Sequence, residues 1–237
     1  MTQQPRRRGL SQEGLKGLAA CLMLIDHLGL CLFGSQLFLR AMGRLAFPIY
    51  AFLLAEGAGY TRSPSRYAQR LIFLALVSEL PFDFMRTGRW MDWSCQNVMV
   101  TLALGLALIQ CLRRARLLSP APRAAATVVS LLVFGCLAEA VRSDYGAFGV
   151  LLCAVFAETR RSPSGPALQG AAMVLGSYLR RPVFLPGLPI PLEALSALAL
   201  LPIGLYHGRK RTSSLAVQTA FYAFYPLHML LLGFLRL

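Results

Sequence analysis

At 237 residues the chain has the length of one or two soluble domains, but 56% of it is hydrophobic and only 14% is charged. The apolar residues come in blocks of about 15–20, the length that crosses a hydrocarbon core of about 30 Å. Composition therefore excludes a water-soluble globular class and predicts an all-α fold, a polytopic integral membrane helical bundle. The net charge of +14 resides almost wholly in arginines between the apolar blocks. That placement is the topological one of basic loops held inside and drawn to anionic lipid. Nucleic acid is not an expected partner, because no basic domain stands outside the apolar blocks.

In chain order, nine spans are expected, at about 15–33, 44–60, 67–84, 97–112, 124–140, 146–158, 167–179, 190–206 and 218–236. The chain reads as a single membrane domain over 1–237, with 1–12 as a basic N-terminal tail. That tail, MTQQPRRRGL, precedes an apolar run followed by no small-residue cleavage site, so the run is expected to be a retained first span. The sixth and seventh spans are short for full crossings. The connection 180–190, RRPVFLPGLPI, is expected to be an irregular but ordered loop. With the N-terminus inside, fifteen Arg and Lys residues fall on the cytoplasmic side and eight on the outer side, which favours that orientation and places the C-terminus outside.

The six cysteines are scattered and form no CxxC pair, so neither a disulfide framework nor a zinc site is expected, and no metal ligands are assigned. There is no GxSxG elbow, P-loop or HExxH motif.

Ionisable groups inside a membrane cost at least a few kcal/mol each, so their positions carry information. The first span, LKGLAACLMLIDHLG, holds Lys16 near its start and Asp26-His27 deep within. Lys16 and His27 are eleven residues apart, roughly three turns plus 20°, and so share one stripe about 16 Å apart along the axis. Asp26 points about 100° away from His27 on an ideal helix, which makes it a poor partner for that imidazole. Arg44 opens the second span and Pro48 follows, where it can kink the helix. Glu56 closes that span, Glu79 and Asp83 end the third, Asn97 opens the fourth, Asp144 and Tyr145 mark the turn before the sixth, and His228 lies well inside the ninth.

Two groupings by depth follow. His27, Arg44, Glu79, Asp83 and Asn97, with His228 at a similar depth, are central to outer; Lys16, Glu56 and Arg70 are inner. Membrane charges normally face a bundle interior and pair. The structural expectation is thus that Arg44 pairs with Glu79 or Asp83, that Glu56 pairs with Arg62 or Arg66, and that His27 is hydrogen-bonded to a neighbouring helix. The functional alternative makes His27 a general base, since imidazole titrates near neutral pH.

The segments GRLAFPIYAFLLAEGAGYTR, LVSELPFDF, QNVMVTLALG, SDYGAFGVLL and FYAFYPLHML, in that order, resemble the TraX family, named for a conjugation protein implicated in acetylating the N-terminus of F-type pilin. The likeness runs from about residue 12 to the C-terminus and is weakest across 113–135 and 160–190. A wider resemblance is to membrane acyltransferases of the acyltransferase-3 kind, whose first helix carries an arginine, ten residues, then a histidine; here Lys16 and His27 keep that spacing. Lysine retains the charge but not the bidentate fork.

These resemblances imply a membrane-bound acetyltransferase of the bacterial inner membrane. The donor substrate would be cytoplasmic acetyl-CoA, with no tightly bound cofactor, and the acceptor a pilin N-terminus, an envelope sugar or a small molecule. Lys16 with Arg62, Arg66 or Arg70 would meet the donor phosphates. His27 would be the base, Glu79 or Asp83 would orient it, and Asn97 and Arg44 would stabilise the thioester oxyanion. Asp26, Glu56, Asp144, Tyr145 and His228 would support. The rival readings are a non-catalytic pilus or envelope assembly factor, and a small-molecule transporter whose polar clusters form a path.

Overall fold

A computed structural model of the chain describes residues 9–34, 36–179, 183–208 and 214–236. The arginines at 6–8, 180–181, 209 and 211, with Lys210, lie outside the described residues. Among those described there is no β-strand, and the architecture is a bundle of helices. They are α1 (Gln12–Cys31), α2 (Leu37–Gly43), α3 (Ala46–Tyr60), α4 (Pro64–Thr87), α5 (Val98–Ala115), α6 (Pro120–Ala140), α7 (Gly146–Thr159), α8 (Gly165–Leu179), a 3-10 helix (Leu192–Ala199) running into α9 (Leu200–Gly204), and α10 (Leu215–Arg236).

The boundaries follow local chemistry. Ser11 caps α1 by accepting from the Gly14 N–H at 3.1 Å, and Asn97 caps α5 by accepting from the Met99 N–H at 3.0 Å. Pro64 and Pro120 sit in first turns, where a missing N–H costs nothing. Helix α4 ends at Gly88, whose φ of +75° is the left-handed conformation that only glycine adopts freely. Pro48 lies in the first turn of α3 and does not kink it; the break comes earlier, at Arg44–Leu45, between α2 and α3.

Among the described residues, five stretches are long and apolar enough to cross a membrane: Gln12–Cys31, Leu37–Tyr60, Val98–Ala115, Pro120–Ala140 and Leu215–Arg236. Helix α4 is long but too charged to qualify by composition. Of the remaining expected spans, α7 and α8 are helical over 14 and 15 residues. At about 1.5 Å per residue both fall short of the hydrocarbon thickness. The expected eighth span is not a continuous α-helix. Pro202 brings no N–H to the ladder, and the segment winds as 3-10 from Leu192 before one short α turn. In the connection before it, Leu185 N–H donates to Ile190 O at 2.9 Å across a turn with Gly187 at φ +74°, the irregular ordered loop expected there.

The core lies between α1, α3, α4, α5, α7 and α10, where Leu15, Ile49, Met85, Leu106, Phe156 and Met229 are almost wholly enclosed. Helix α7 is central, with Leu152, Cys153 and Phe156 buried. Helix α6 is peripheral: it buries Gly135 and Ala138 and exposes Val128, Val129, Leu132 and Val133, an apolar face suited to lipid. Glycines set the closest approaches. A Cβ on Gly43 would stand 2.2 Å from the Asp26 Cβ, and one on Gly29 would stand 2.7 Å from the Leu39 Cβ, so α2 folds tightly back along α1.

Candidate functional site: a histidine pair above a basic-mouthed cavity

Helix periodicity turns the first-span stripe into a cavity wall. Lys16, Ala20 and Met23 of α1 line a cavity of about 440 Å³, and His27, one turn further on, continues the same face. The opposite wall is α10, which contributes Gln218, Phe221, Tyr222, Phe224 and Tyr225; His228 again lies one turn beyond Phe224. Tyr50 and Leu54 of α3, Arg70 and Leu74 of α4, and Met99 of α5 complete the lining. Charged and amide side chains (Gln12, Glu13, Lys16, Arg70, Gln218) come from the N-terminal turns of α1, α4 and α10, among a lining that is otherwise mostly aromatic and aliphatic.

Beyond that lining, the His27 Nδ1 and the His228 Nε2 share a hydrogen bond of 2.8 Å. The His228 Nδ1 stands 2.7 Å from the Phe224 carbonyl oxygen. A carbonyl only accepts, so the His228 Nδ1 carries the proton. In the neutral pair the His228 Nε2 must then accept from the His27 Nδ1–H, which leaves the lone pair of His27 on Nε2. Phe224 stacks on His228 with ring centroids 4.7 Å apart, and Tyr225 packs beside it. His228 is buried. The partner of His27 is therefore His228, not Glu79 or Asp83.

Asp26 occupies a second network at the C-terminal end of α2. Its Oδ2 accepts from the Arg40 Nη1 at 2.7 Å, and both its oxygens accept from the Arg44 Nη2 at 2.9 Å. Arg44 also reaches Glu193 of the 3-10 helix, at 3.5 Å. The expected pairing of Arg44 with Glu79 or Asp83 is thus replaced by one with Asp26 and Glu193. The cause is the α1–α2 hairpin, which brings both arginines back to the first helix.

Glu79, Asp83 and Asn97 instead tie α4 to α5 and to the loop between them. The Asn97 amide donates to Ala75 O at 2.8 Å and to Glu79 Oε2, while its oxygen caps α5. Both amide hydrogens are thereby committed, so the geometry does not favour Asn97 as an oxyanion donor. Asp83 Oδ2 accepts the Asp92 N–H at 2.7 Å. Asp92 in turn accepts from the Ser94 N–H and hydroxyl and from Arg86. Glu56 pairs with Arg160, the C-cap of α7, at 3.7 Å rather than with Arg62 or Arg66. Arg160 fits there because Gly59 leaves room for its guanidinium.

Asp144 and Tyr145 hold the turn before α7: the Asp144 N–H donates to Gln96 O at 2.9 Å, and Tyr145 stacks on Phe47 at 3.7 Å. Of the four expected donor-phosphate contacts, the fold brings Lys16 and Arg70 to one cavity; Arg62 and Arg66 line an adjoining groove between α4 and α10 that shares Arg70 with it. No group of three or more His, Cys, Asp or Glu placed to hold a metal occurs among the described residues.

Long apolar helices around an enclosed set of charges and imidazoles define a polytopic helical membrane protein with an ionisable interior. The family model described as "TraX protein" matches residues 11–236, and the chain belongs to the TraX family. It is 31% identical over 242 residues to a protein of Dichelobacter nodosus named probable fimbrial assembly protein FimC, serogroup H1, with 92% of each chain covered. No solved structure matches it.

Proposed function

We propose that the chain is an acetyltransferase of the bacterial inner membrane, with the Lys16 end of the bundle facing the cytoplasm. It would move an acetyl group from acetyl-CoA to an amine or hydroxyl, a pilin N-terminus or an envelope sugar being the acceptors that the family suggests. The observation that carries the reading is His27, held through Nδ1 by His228 with its Nε2 lone pair left over, one turn above a cavity whose mouth holds Lys16 and Arg70. The two cations receive donor phosphates as point charge and fork, and the apolar walls accommodate the thioester arm.

The acceptor's lone pair attacks the thioester carbonyl, the C–S bond breaks, and the acceptor proton passes to the His27 Nε2 and then to the departing CoA thiolate. General-base help of this kind is worth about 10²–10⁴ in rate. His228 is the positioning residue. The Asp26–Arg40–Arg44 network adjoins His27 in the chain and, with Glu193, balances two guanidinium groups with two carboxylates. Acetyl-CoA is consumed as substrate, so no resident cofactor is required.

The name of the Dichelobacter relative favours one second reading, a non-catalytic assembly factor for fimbriae. Purified protein in vesicles, given radiolabelled acetyl-CoA with a pilin amino-terminal peptide or an envelope sugar, separates the two. Labelled product from the wild type, lost in His27→Ala protein that still inserts and accumulates, is expected. Undiminished transfer by His27→Ala removes the base assignment. No CoA binding and no transfer to any acceptor would favour the assembly factor.

A further inference from the structure

Helices α4 and α10 meet closely at one end and part at the other. A Cβ on Gly233 would lie 2.4 Å from the Phe84 ring, and the Arg236 Nη1 donates to Met85 O at 2.9 Å, which locks the ends remote from Lys16. Each helix contains an interior proline, Pro81 and Pro226. An interior proline removes the rung to the carbonyl four residues back and bends the helix. Those carbonyls belong to Val77 and Tyr222, and both residues line a groove of about 920 Å³ that opens between the helices on the Lys16 side of the prolines. Its floor is apolar and faces outward, with Phe73 68% and Val77 46% exposed. Its end carries Arg62, Arg66 and Arg70, at the N-terminal end of α4.

A groove that is apolar along the bilayer-facing length of two helices and triply cationic where they end is complementary to an amphiphile with an anionic head. We infer that it binds one anionic glycerophospholipid, its phosphate on Arg62 and Arg66 and an acyl chain laid over Phe73 and Val77 towards Pro226. The charge complementarity selects this occupant: a zwitterionic lipid would bring its own cation against the arginines, and an apolar helix would leave them unmatched. The groove shares Arg70 with the cavity proposed for acetyl-CoA, but the phosphate contacts Arg62 and Arg66 line the groove alone, so the site stands whether or not the chain transfers acetyl groups.

Native mass spectrometry of the full-length protein in detergent tests it, with palmitoyl-oleoyl phosphatidylglycerol and phosphatidylcholine as probes. About thirtyfold preferential retention of the anionic lipid is expected from two interfacial arginines. The double variant Arg62→Gln/Arg66→Gln should remove most of that preference and leave only the pull of Arg70. Ala223→Trp, which fills the groove and leaves the arginines in place, should lower retention of both lipids, and it keeps the test decisive if the double variant does not fold. Equal retention of the two lipids by the wild type, or a preference unchanged in both variants, overturns the assignment. So does displacement of bound phosphatidylglycerol by millimolar CoA or by an apolar helical peptide.

Discussion

Asp26 receives a single guanidinium nitrogen of Arg44 at 2.9 Å on both carboxylate oxygens, while Arg40 closes on its Oδ2 at 2.7 Å. One carboxylate thus holds two arginines within the bundle, and Glu193 supplies the second negative charge from the 3-10 helix. Removing Asp26 leaves two neighbouring cations with one distant partner. Asp26→Ala is expected to destabilise the protein by about 3–5 kcal/mol, the cost of breaking a buried pair from one side. Thermal unfolding in detergent measures it. The double variant Asp26→Ala/Arg44→Met should regain part of the loss, since it removes one of the orphaned charges.

The histidine pair makes a different prediction. If His228 fixes the tautomer of His27, then His228→Ala should lower acetyl transfer by roughly 10–100-fold, the scale seen when a partner that orients a ligating histidine is removed. His228→Gln, whose amide oxygen can accept from the His27 Nδ1–H, should restore part of the rate. In a His27→Ala background, His228→Ala should cost little more, because residues acting as one unit are not additive. Values of kcat and KM from initial rates of CoA release check all three; a purely structural His228 would lower the yield of folded protein without this rescue.

The sequence made the helices and the Lys16–His27 stripe legible because both depend on local periodicity: apolar length sets a span, and 3.6 residues per turn sets a face. It put His228 at the depth of His27, yet not against it, since that contact joins positions 201 residues apart. Partners of the carboxylates were harder still. Depth alone pointed Arg44 to Glu79 or Asp83, and its pairing with Asp26 was set instead by Gly29 and Gly43, which bring α2 against α1. Asn97, placed at a reactive depth, proved to be a helix cap with both amide hydrogens spent. Its position immediately before the apolar run VMVTLALG carried that signal. The eighth span was expected from apolar length, a criterion that is blind to the missing N–H of Pro202.

Gly43 carries a prediction of its own. Any side chain there meets the Asp26 Cβ at 2.2 Å, a distance that no rotamer change relieves. Gly43→Ala should therefore push α2 from α1 at a cost of about 1–3 kcal/mol, the usual penalty of overpacking. Because the displaced partner is Asp26, the same change should weaken its bonds to Arg40 and Arg44. Unfolding temperature reads the first effect. For the second, the additional loss on adding Asp26→Ala should be smaller than in the wild type.

The loop between α4 and α5 offers a pH test outside the bundle. Bonds from the Ser94 backbone N–H and hydroxyl, with help from Arg86 and Arg89, hold the Asp92 carboxyl below its ordinary range. A lowered folded value means that the carboxylate's contribution is fully present above the unfolded value of about 3.9 and is lost as pH falls through the lower folded one. Trp90, stacked on Phe84 with centroids 4.3 Å apart, reports on the same loop. Tryptophan fluorescence during acidification should therefore stay flat through pH 4 and change only below it. Asp92→Asn should remove that acid step and leave the neutral-pH protein with a looser loop, seen as faster amide exchange at Trp93 and Ser94. A fluorescence change that persists unaltered in Asp92→Asn would remove the assignment of the step to Asp92.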